Sequence, residues 1–143
     1  MVDAVTVQKT LDVICIGRSS VDLYGQQIGS RLEDVCSFAK SVGGCPANIA
    51  IGTARLGLKS ALITRVGAEQ MGGFIREQLI REGVAVDGVR VDKQRLTGLV
   101  LLAVQAEGVS PTIFYRSDCA DMALDEGDID EVLVARSRAI VVT

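Results

Sequence analysis

The chain carries two adjacent glycines shortly before a proline, in the segment Gly43-Gly44-Cys45-Pro46-Ala47-Asn48-Ile49-Ala50. Glycine lets a backbone approach a ligand closely and adopt conformations that other residues avoid. Proline is favoured in the first turn of a helix. The segment therefore predicts a turn into a helix that ends near Gly57, with free N–H groups and the Asn48 side chain forming a pocket for oxygen atoms. A glycine-rich turn without a ligand would show the same spacing, so both interpretations stay open.

Composition excludes several classes of protein. The 143 residues include no histidine, which removes Ser-His-Asp and Cys-His hydrolases from consideration. The net charge is −3 and the basic residues are scattered, so we expect no nucleic-acid partner. The four cysteines lack CxxC spacing, which disfavours a zinc site and indicates reduced thiols. With no apolar run of signal-peptide or membrane-span length, we expect a cytoplasmic protein that does not contact a membrane.

Short apolar runs alternate with amphipathic stretches along the chain. After a polar lead-in over residues 1–10, the pattern predicts helices over 46–56, 69–82 and 126–135. It predicts strands over 11–17, 21–28, 37–42, 59–66, 88–91, 97–105, 112–116 and 139–143. This order indicates an α/β fold with a mainly parallel sheet and a smaller flap. A buried parallel strand normally leads into a covering helix, so we expect residues 11–143 to form part of a larger domain.

The sequence resembles the N-terminal half of the PfkB (ribokinase-like) carbohydrate kinases over residues 11–143. The resemblance is carried, in order, by LDVICIG, SVDLYG, SVGGCPANIAIGTARLG and ALITRVGAEQMGGFIREQLIREGV. The GGxxxN spacing and the Arg-Val-Gly-x-x-x-x-Gly stretch over 65–72 match the family's signatures. GRSSVDLYGQQIG, RLEDVCSFAKSVGGCPANIA and IFYRSDCADMAL are similar to the 5-dehydro-2-deoxygluconokinases of inositol catabolism within this family.

The resemblance implies a three-layer α/β sandwich with a β-sheet lid over about 21–42 and 97–116. It implies transfer of the γ-phosphoryl group of ATP, with Mg²⁺, to a hydroxyl of a sugar acid bound between body and lid. The lids of two copies would pair in a homo-oligomer. The residues that would bind the sugar acid are Asp22, Gly43, Gly44 and Asn48, with Arg116 near its carboxylate and Arg18 as a second candidate.

Simple chemistry agrees with these roles, although each residue also has a structural interpretation. Carboxylate and amide groups bind a polyol through paired hydrogen bonds, and a guanidinium binds a carboxylate better than an ammonium does. Asp22 could instead be a solvated strand residue, Asn48 a helix cap, and Arg116 a partner in a surface ion pair.

The sequence contains no Gly-Ala-Gly-Asp segment, which in this family supplies the anion hole and the catalytic Asp. We therefore assign no catalytic residue and no metal ligand within these residues, and expect the 143-residue polypeptide alone to be inactive and marginally stable. Other sugars (2-keto-3-deoxygluconate, fructose or a nucleoside) and a non-catalytic sugar-binding or dimerisation module remain alternatives. A dinucleotide-binding domain is disfavoured because Gly17-Arg18-Ser19-Ser20 follows the first strand in place of a glycine fingerprint.

Overall fold

The structure is a computed structural model that describes residues 8–108 and 110–143, so residues 1–7 of the predicted lead-in lie outside the described residues. The strands and α-helices follow in the order β1 (Leu11–Ile16), β2 (Ser20–Gly25), β3 (Phe38–Gly43), α1 (Cys45–Arg55), β4 (Ser60–Gly67), α2 (Gln70–Arg81), β5 (Val89–Asp92), β6 (Gly98–Leu102), β7 (Thr112–Tyr115), α3 (Glu131–Ala135) and β8 (Ser137–Val142). Three short 3₁₀ helices cover Leu32–Asp34, Ala120–Ala123 and Glu126–Asp128.

The strands form two sheets, and this confirms the predicted α/β class. The first sheet has the order β5-β4-β1-β8 and all of its strand pairs are parallel. The second sheet has the order β3-β2-β6-β7, with antiparallel pairs at both ends and a parallel pair between β2 and β6. We call the first sheet with its helices the body and the second sheet the lid.

Helices pack on both faces of the central strands β1 and β4 of the body sheet. On one face, Cys15 and Leu62 pack in a cluster with residues of α1 and α2 such as Ala50 and Ile75. On the other face, Ile14 and Ile63 pack against Leu133 of α3. Neighbouring residues of one strand enter opposite clusters because strand side chains alternate between faces. Burial on both faces explains why β1 and β4 read as almost continuous apolar runs.

The carboxylate of Glu69 joins the body to the start of β6 in the lid. It accepts a hydrogen bond from the Met71 N–H at 2.6 Å, which caps α2, and one from the Thr97 N–H at 3.0 Å. Burial alone would raise the pKa of Glu69, but the hydrogen bonds from Thr97 and the α2 N–H groups outweigh it and lower the pKa below its usual value. Because the folded pKa is the lower one, Glu69 stabilises the fold at neutral pH and loses this contribution as the pH falls through that pKa.

The predicted helix over 126–135 is wrong in extent. Asp125 caps only the 3₁₀ helix, in a reciprocal arrangement with Asp128, and Ile129 then takes extended backbone angles. The Asp130 carboxylate starts α3 separately by accepting hydrogen bonds from the N–H groups of Val132 and Leu133. Two capping carboxylates five residues apart therefore divide the segment, because each satisfies a helix start of its own. The strand predicted over 21–28 likewise ends at Gly25, and the one over 139–143 begins at Ser137.

Candidate functional site

The predicted turn between β3 and α1 is confirmed. Gly44 precedes the helix with φ of +97°, a conformation that residues with a side chain rarely adopt. A Cβ atom on Gly44 would lie only 2.5 Å from the carbonyl oxygen of Arg18. Pro46 occupies the first turn of α1, and no side chain caps that end of the helix. The turn therefore presents backbone N–H groups at the point where Gly44 packs against the backbone of Arg18.

Asp22 lies against this turn. It is half-buried on β2, opposite Ser41 of β3, and its Oδ1 atom accepts a hydrogen bond from the Ser20 hydroxyl at 2.9 Å. A Cβ atom on Gly43 would overlap the Asp22 carboxylate, so the carboxylate rests on the backbone of Gly43. Burial and the Asp22 charge both raise the pKa of Tyr24, two residues along β2, above its usual value.

Arg18 and Arg116 meet in one cavity at the start of α1. This arginine cavity has a volume of about 230 Å³ and is lined by Arg18, Cys45, Pro46, Arg116 and Thr143. The Arg18 guanidinium lies 6.0 Å from the centre of the Phe114 ring, at the outer limit of a cation–π contact. Two guanidinium groups beside the N-terminus of a helix make this cavity suited to an anion.

Asn48 lies in a different cavity. Its side chain is exposed and lines, with lid residues Lys40, Ser41 and Val42 and residues of α2, a cavity of about 320 Å³. The Lys40 ammonium lies 4.1 Å from the centre of the Phe74 ring on α2, which closes one side of this cavity between lid and body. The structure thus brings Asp22, Gly43 and Gly44 together and Arg18 and Arg116 together. Asn48 lies outside the cavity that the two arginines share.

Comparison with known proteins places this geometry in a family. Residues 10–143 match the family described as pfkB family carbohydrate kinase. The chain belongs to the pfkB family of carbohydrate kinases. The resemblance predicted for residues 11–143 is thereby confirmed over all of that range.

Individual relatives agree with this pfkB-family assignment. The 5-dehydro-2-deoxygluconokinase of Geobacillus kaustophilus is 39% identical over 137 residues, which cover 95% of this chain and 41% of that protein. The crystal structure of an uncharacterized sugar kinase from Pyrococcus horikoshii in complex with ATP has a TM-score of 0.83 at 33% identity, covering 91% of this chain and 42% of that one. A PfkB protein from Polaromonas sp. JS666 has a TM-score of 0.86 at 31% identity, covering 91% and 44%. The chain spans about two fifths of the length of the relatives it matches.

Sequence reasoning missed one residue that contacts a candidate site residue, Asp121. The Nε atom of Arg116 donates a hydrogen bond to Asp121 Oδ2 at 2.7 Å, and Asp121 is almost completely buried. The two residues come from different elements, the end of β7 and the 3₁₀ helix Ala120–Ala123. Their contact depends on how the chain turns between these elements, so the spacing of five residues in the sequence did not predict an ion pair.

Within the described ranges 8–108 and 110–143 of the pfkB-family chain, no three Asp, Glu, Cys or His side chains cluster closely enough to hold a metal ion. Across the same ranges, no helix has both the length and the apolar character needed to cross a membrane.

Proposed function

We propose that the protein containing these residues transfers the γ-phosphoryl group of Mg²⁺-bound ATP to a hydroxyl of a sugar acid, 5-dehydro-2-deoxygluconate, in inositol catabolism. The residues described here would bind the sugar acid. The observation that carries the proposal is the contact of the Asp22 carboxylate with Gly43, directly beside a cavity that holds two arginines. Family membership supports the phosphoryl transfer, and the relatives named 5-dehydro-2-deoxygluconokinase support the choice of substrate.

The arrangement suits a ligand that has hydroxyl groups at one end and a carboxylate at the other. In the proposed complex, Asp22 accepts hydrogen bonds from two sugar hydroxyls, while the Gly43–Gly44 backbone lets the ring approach the start of α1. Arg116 and Arg18 bind the carboxylate, for which a planar guanidinium offers two parallel N–H donors. A neutral sugar would offer no carboxylate to these guanidinium groups, so the charge-assisted hydrogen bonds to the ligand would be lost.

The described residues would orient the substrate and leave the phosphoryl chemistry to other groups. Bound Mg²⁺-ATP supplies the phosphoryl group and charge neutralisation, and phosphoryl transfer depends mainly on positioning and electrostatic stabilisation. Asp22, fixed by its register on β2 and by Ser20, would hold the sugar hydroxyls in one orientation. The two arginines would fix the opposite end of the substrate. Two anchors at opposite ends define which hydroxyl is presented for transfer.

The experiment that tests this function compares substrates in the full-length protein. We expect kcat/KM for 5-dehydro-2-deoxygluconate to exceed that for fructose, since only the acid pairs with the arginines. Arg116→Ala should lower kcat/KM for the acid by about 10- to 100-fold, the value of one or two charge-assisted hydrogen bonds, and leave fructose almost unchanged. Equal losses for both sugars would contradict a carboxylate-binding role for Arg116. Equal rates on both sugars in the unaltered protein would contradict the proposed substrate.

A polypeptide of residues 1–143 alone is expected to release no ADP in a coupled assay when the sugar acid is added. The reason is that the sequence lacks the glycine-rich segment with its catalytic Asp, and the described residues offer no metal cluster. The full-length protein, assayed at the same concentration, serves as the positive control. Sugar-dependent ADP release by the shorter polypeptide would show that a catalytic group lies among these residues.

A further inference from the structure

The pair formed by Arg116 and Asp121 is asymmetric in its burial. The Nε and Nη2 atoms of Arg116 both lie 2.7 Å from Asp121 Oδ2. The Asp121 side chain is only 1% exposed, whereas that of Arg116 is 34% exposed. The buried carboxylate therefore holds one edge of the guanidinium from inside the protein, while the rest of the group reaches the arginine cavity.

The opposite side of the guanidinium is available to a ligand. Among the described residues, the structure shows no hydrogen bond from Arg116 Nη1, and the group has five N–H donors in a fixed plane. The Nη1–Nη2 end can therefore still donate two parallel hydrogen bonds to a carboxylate. Arg18 lines the same cavity and adds a second positively charged residue to it.

Stability alone gives a poor account of the buried carboxylate. The Asp121 Oδ1 atom is buried and has no hydrogen-bond partner among the described residues. A buried carboxylate with an unpaired oxygen destabilises a fold, and apolar residues in place of a buried ion pair are often at least as stable. Gly98, the first residue of β6, lies beside the pair, since a Cβ atom there would be 3.4 Å from Oδ1 and 3.6 Å from Arg116 Cγ. The pair is thus packed at the base of the lid.

We propose that Asp121 is a positioning residue, which fixes the guanidinium of Arg116 so that its Nη1–Nη2 end faces the carboxylate of the sugar acid. This inference rests on the proposed function. Without Asp121 the long Arg116 side chain would sample several rotamers, and binding would have to select one of them. The loss would appear in the affinity for the acid and not in the handling of ATP.

The test uses the full-length protein and Asp121→Ala. We expect KM for 5-dehydro-2-deoxygluconate to rise about tenfold, the size of a typical coupling between contacting charged groups. KM for ATP and kcat should stay within about twofold of their values in the unaltered protein, because Asp121 is proposed to affect only the binding of the acid. A purely structural role would lower the active fraction, and therefore kcat, with no change in either KM. Glu77→Ala, which removes an exposed ion pair with Arg81 on α2, is the control and should change none of the three constants.

A double-mutant cycle separates the failure of this inference from failure of the proposed function. In the Arg116→Ala background, Asp121→Ala should cause no further rise in KM for the acid. An equal rise in both backgrounds, or no rise in the single Asp121 variant, would overturn the positioning role while leaving Arg116 as a carboxylate ligand. If Arg116→Ala itself leaves KM unchanged, the proposed function loses its carboxylate site. Should Asp121→Ala fail to fold, Asp121→Asn keeps the side-chain shape and should give a rise of about threefold, with an unchanged KM overturning the role.

Discussion

Replacement of Asp22 by alanine in the full-length protein is expected to lower kcat/KM for the sugar acid by about 100- to 1,000-fold. The estimate follows from the loss of two hydrogen bonds to a charged acceptor, each contributing about 1.5–2 kcal/mol after exchange with water is taken into account. The contact of Asp22 with Gly43 places this loss at the start of α1, where the ring is proposed to bind. The measurement is steady-state phosphorylation of 5-dehydro-2-deoxygluconate.

The fold should tolerate this change. Asp22 is half-buried, and the one side-chain hydrogen bond described for it comes from Ser20, so we expect the free energy of unfolding to fall by only about 1 kcal/mol. Asp34→Ala is a matched control, because it removes a carboxylate from the exposed 3₁₀ helix between β2 and β3, where its partner is Arg31. The control should retain full activity. A loss of less than threefold for Asp22→Ala would show that the sugar does not bind at this carboxylate.

Gly44→Ala is expected to destabilise the protein by about 3 kcal/mol, through a strained positive φ and a close contact with the Arg18 carbonyl oxygen. Rotation of a side chain relieves neither the positive φ nor the contact, because the contact joins the new Cβ atom to a backbone oxygen. Chemical denaturation of the full-length protein, followed by a spectroscopic signal, measures the change. A residual folded fraction should also bind the sugar acid poorly, because the turn that carries Gly43 would be displaced.

The same helix offers a matched control for this second variant. Gly52 lies within α1, and a Cβ atom there would meet no other atom within 4 Å. Gly52→Ala should therefore leave stability unchanged or raise it by about 0.5–1 kcal/mol, the usual difference between the two residues in a helix. If Gly44→Ala proved as stable as Gly52→Ala, the turn would not require its glycine.

The sequence allowed much of the body to be predicted, for physical reasons that differ between elements. The strands β1 and β4 are buried on both faces, so their apolar runs stand out. The helices α1 and α2 have Pro46 near one start and glycines after both ends, which mark their limits. The segment after β7 was harder, because Asp125 and Asp130 each begin a short helix there, and the apolar spacing alone does not show the break between the two helices.

The geometry of the candidate site could be predicted where a glycine turn creates it, but not where separate elements meet. The adjacent glycines Gly43 and Gly44 predict that another group packs closely against the backbone. In the structure these groups are the Asp22 carboxylate and the Arg18 backbone. The burial of Asp121 beneath Arg116 depends on how β7 continues into a 3₁₀ helix, which no local pattern encodes. The separation of Asn48 from the arginine cavity depends on the rotation of α1 against the lid, which spacing along the chain does not specify.

The register between β2 and β3 fixes the direction of the carboxylate that is proposed to bind the sugar. Ser20 lies opposite Gly43 and Asp22 opposite Ser41, so the strand that ends at the turn also sets the direction in which the acidic group points. Side chains alternate along a strand, and a slip of a single residue would turn that group towards the reverse surface. Insertions or deletions between residues 26 and 37 can therefore be accommodated only if they preserve this alignment, and the parallel register of Asp22 with Val100 of β6 sets the same condition on the other side of the strand.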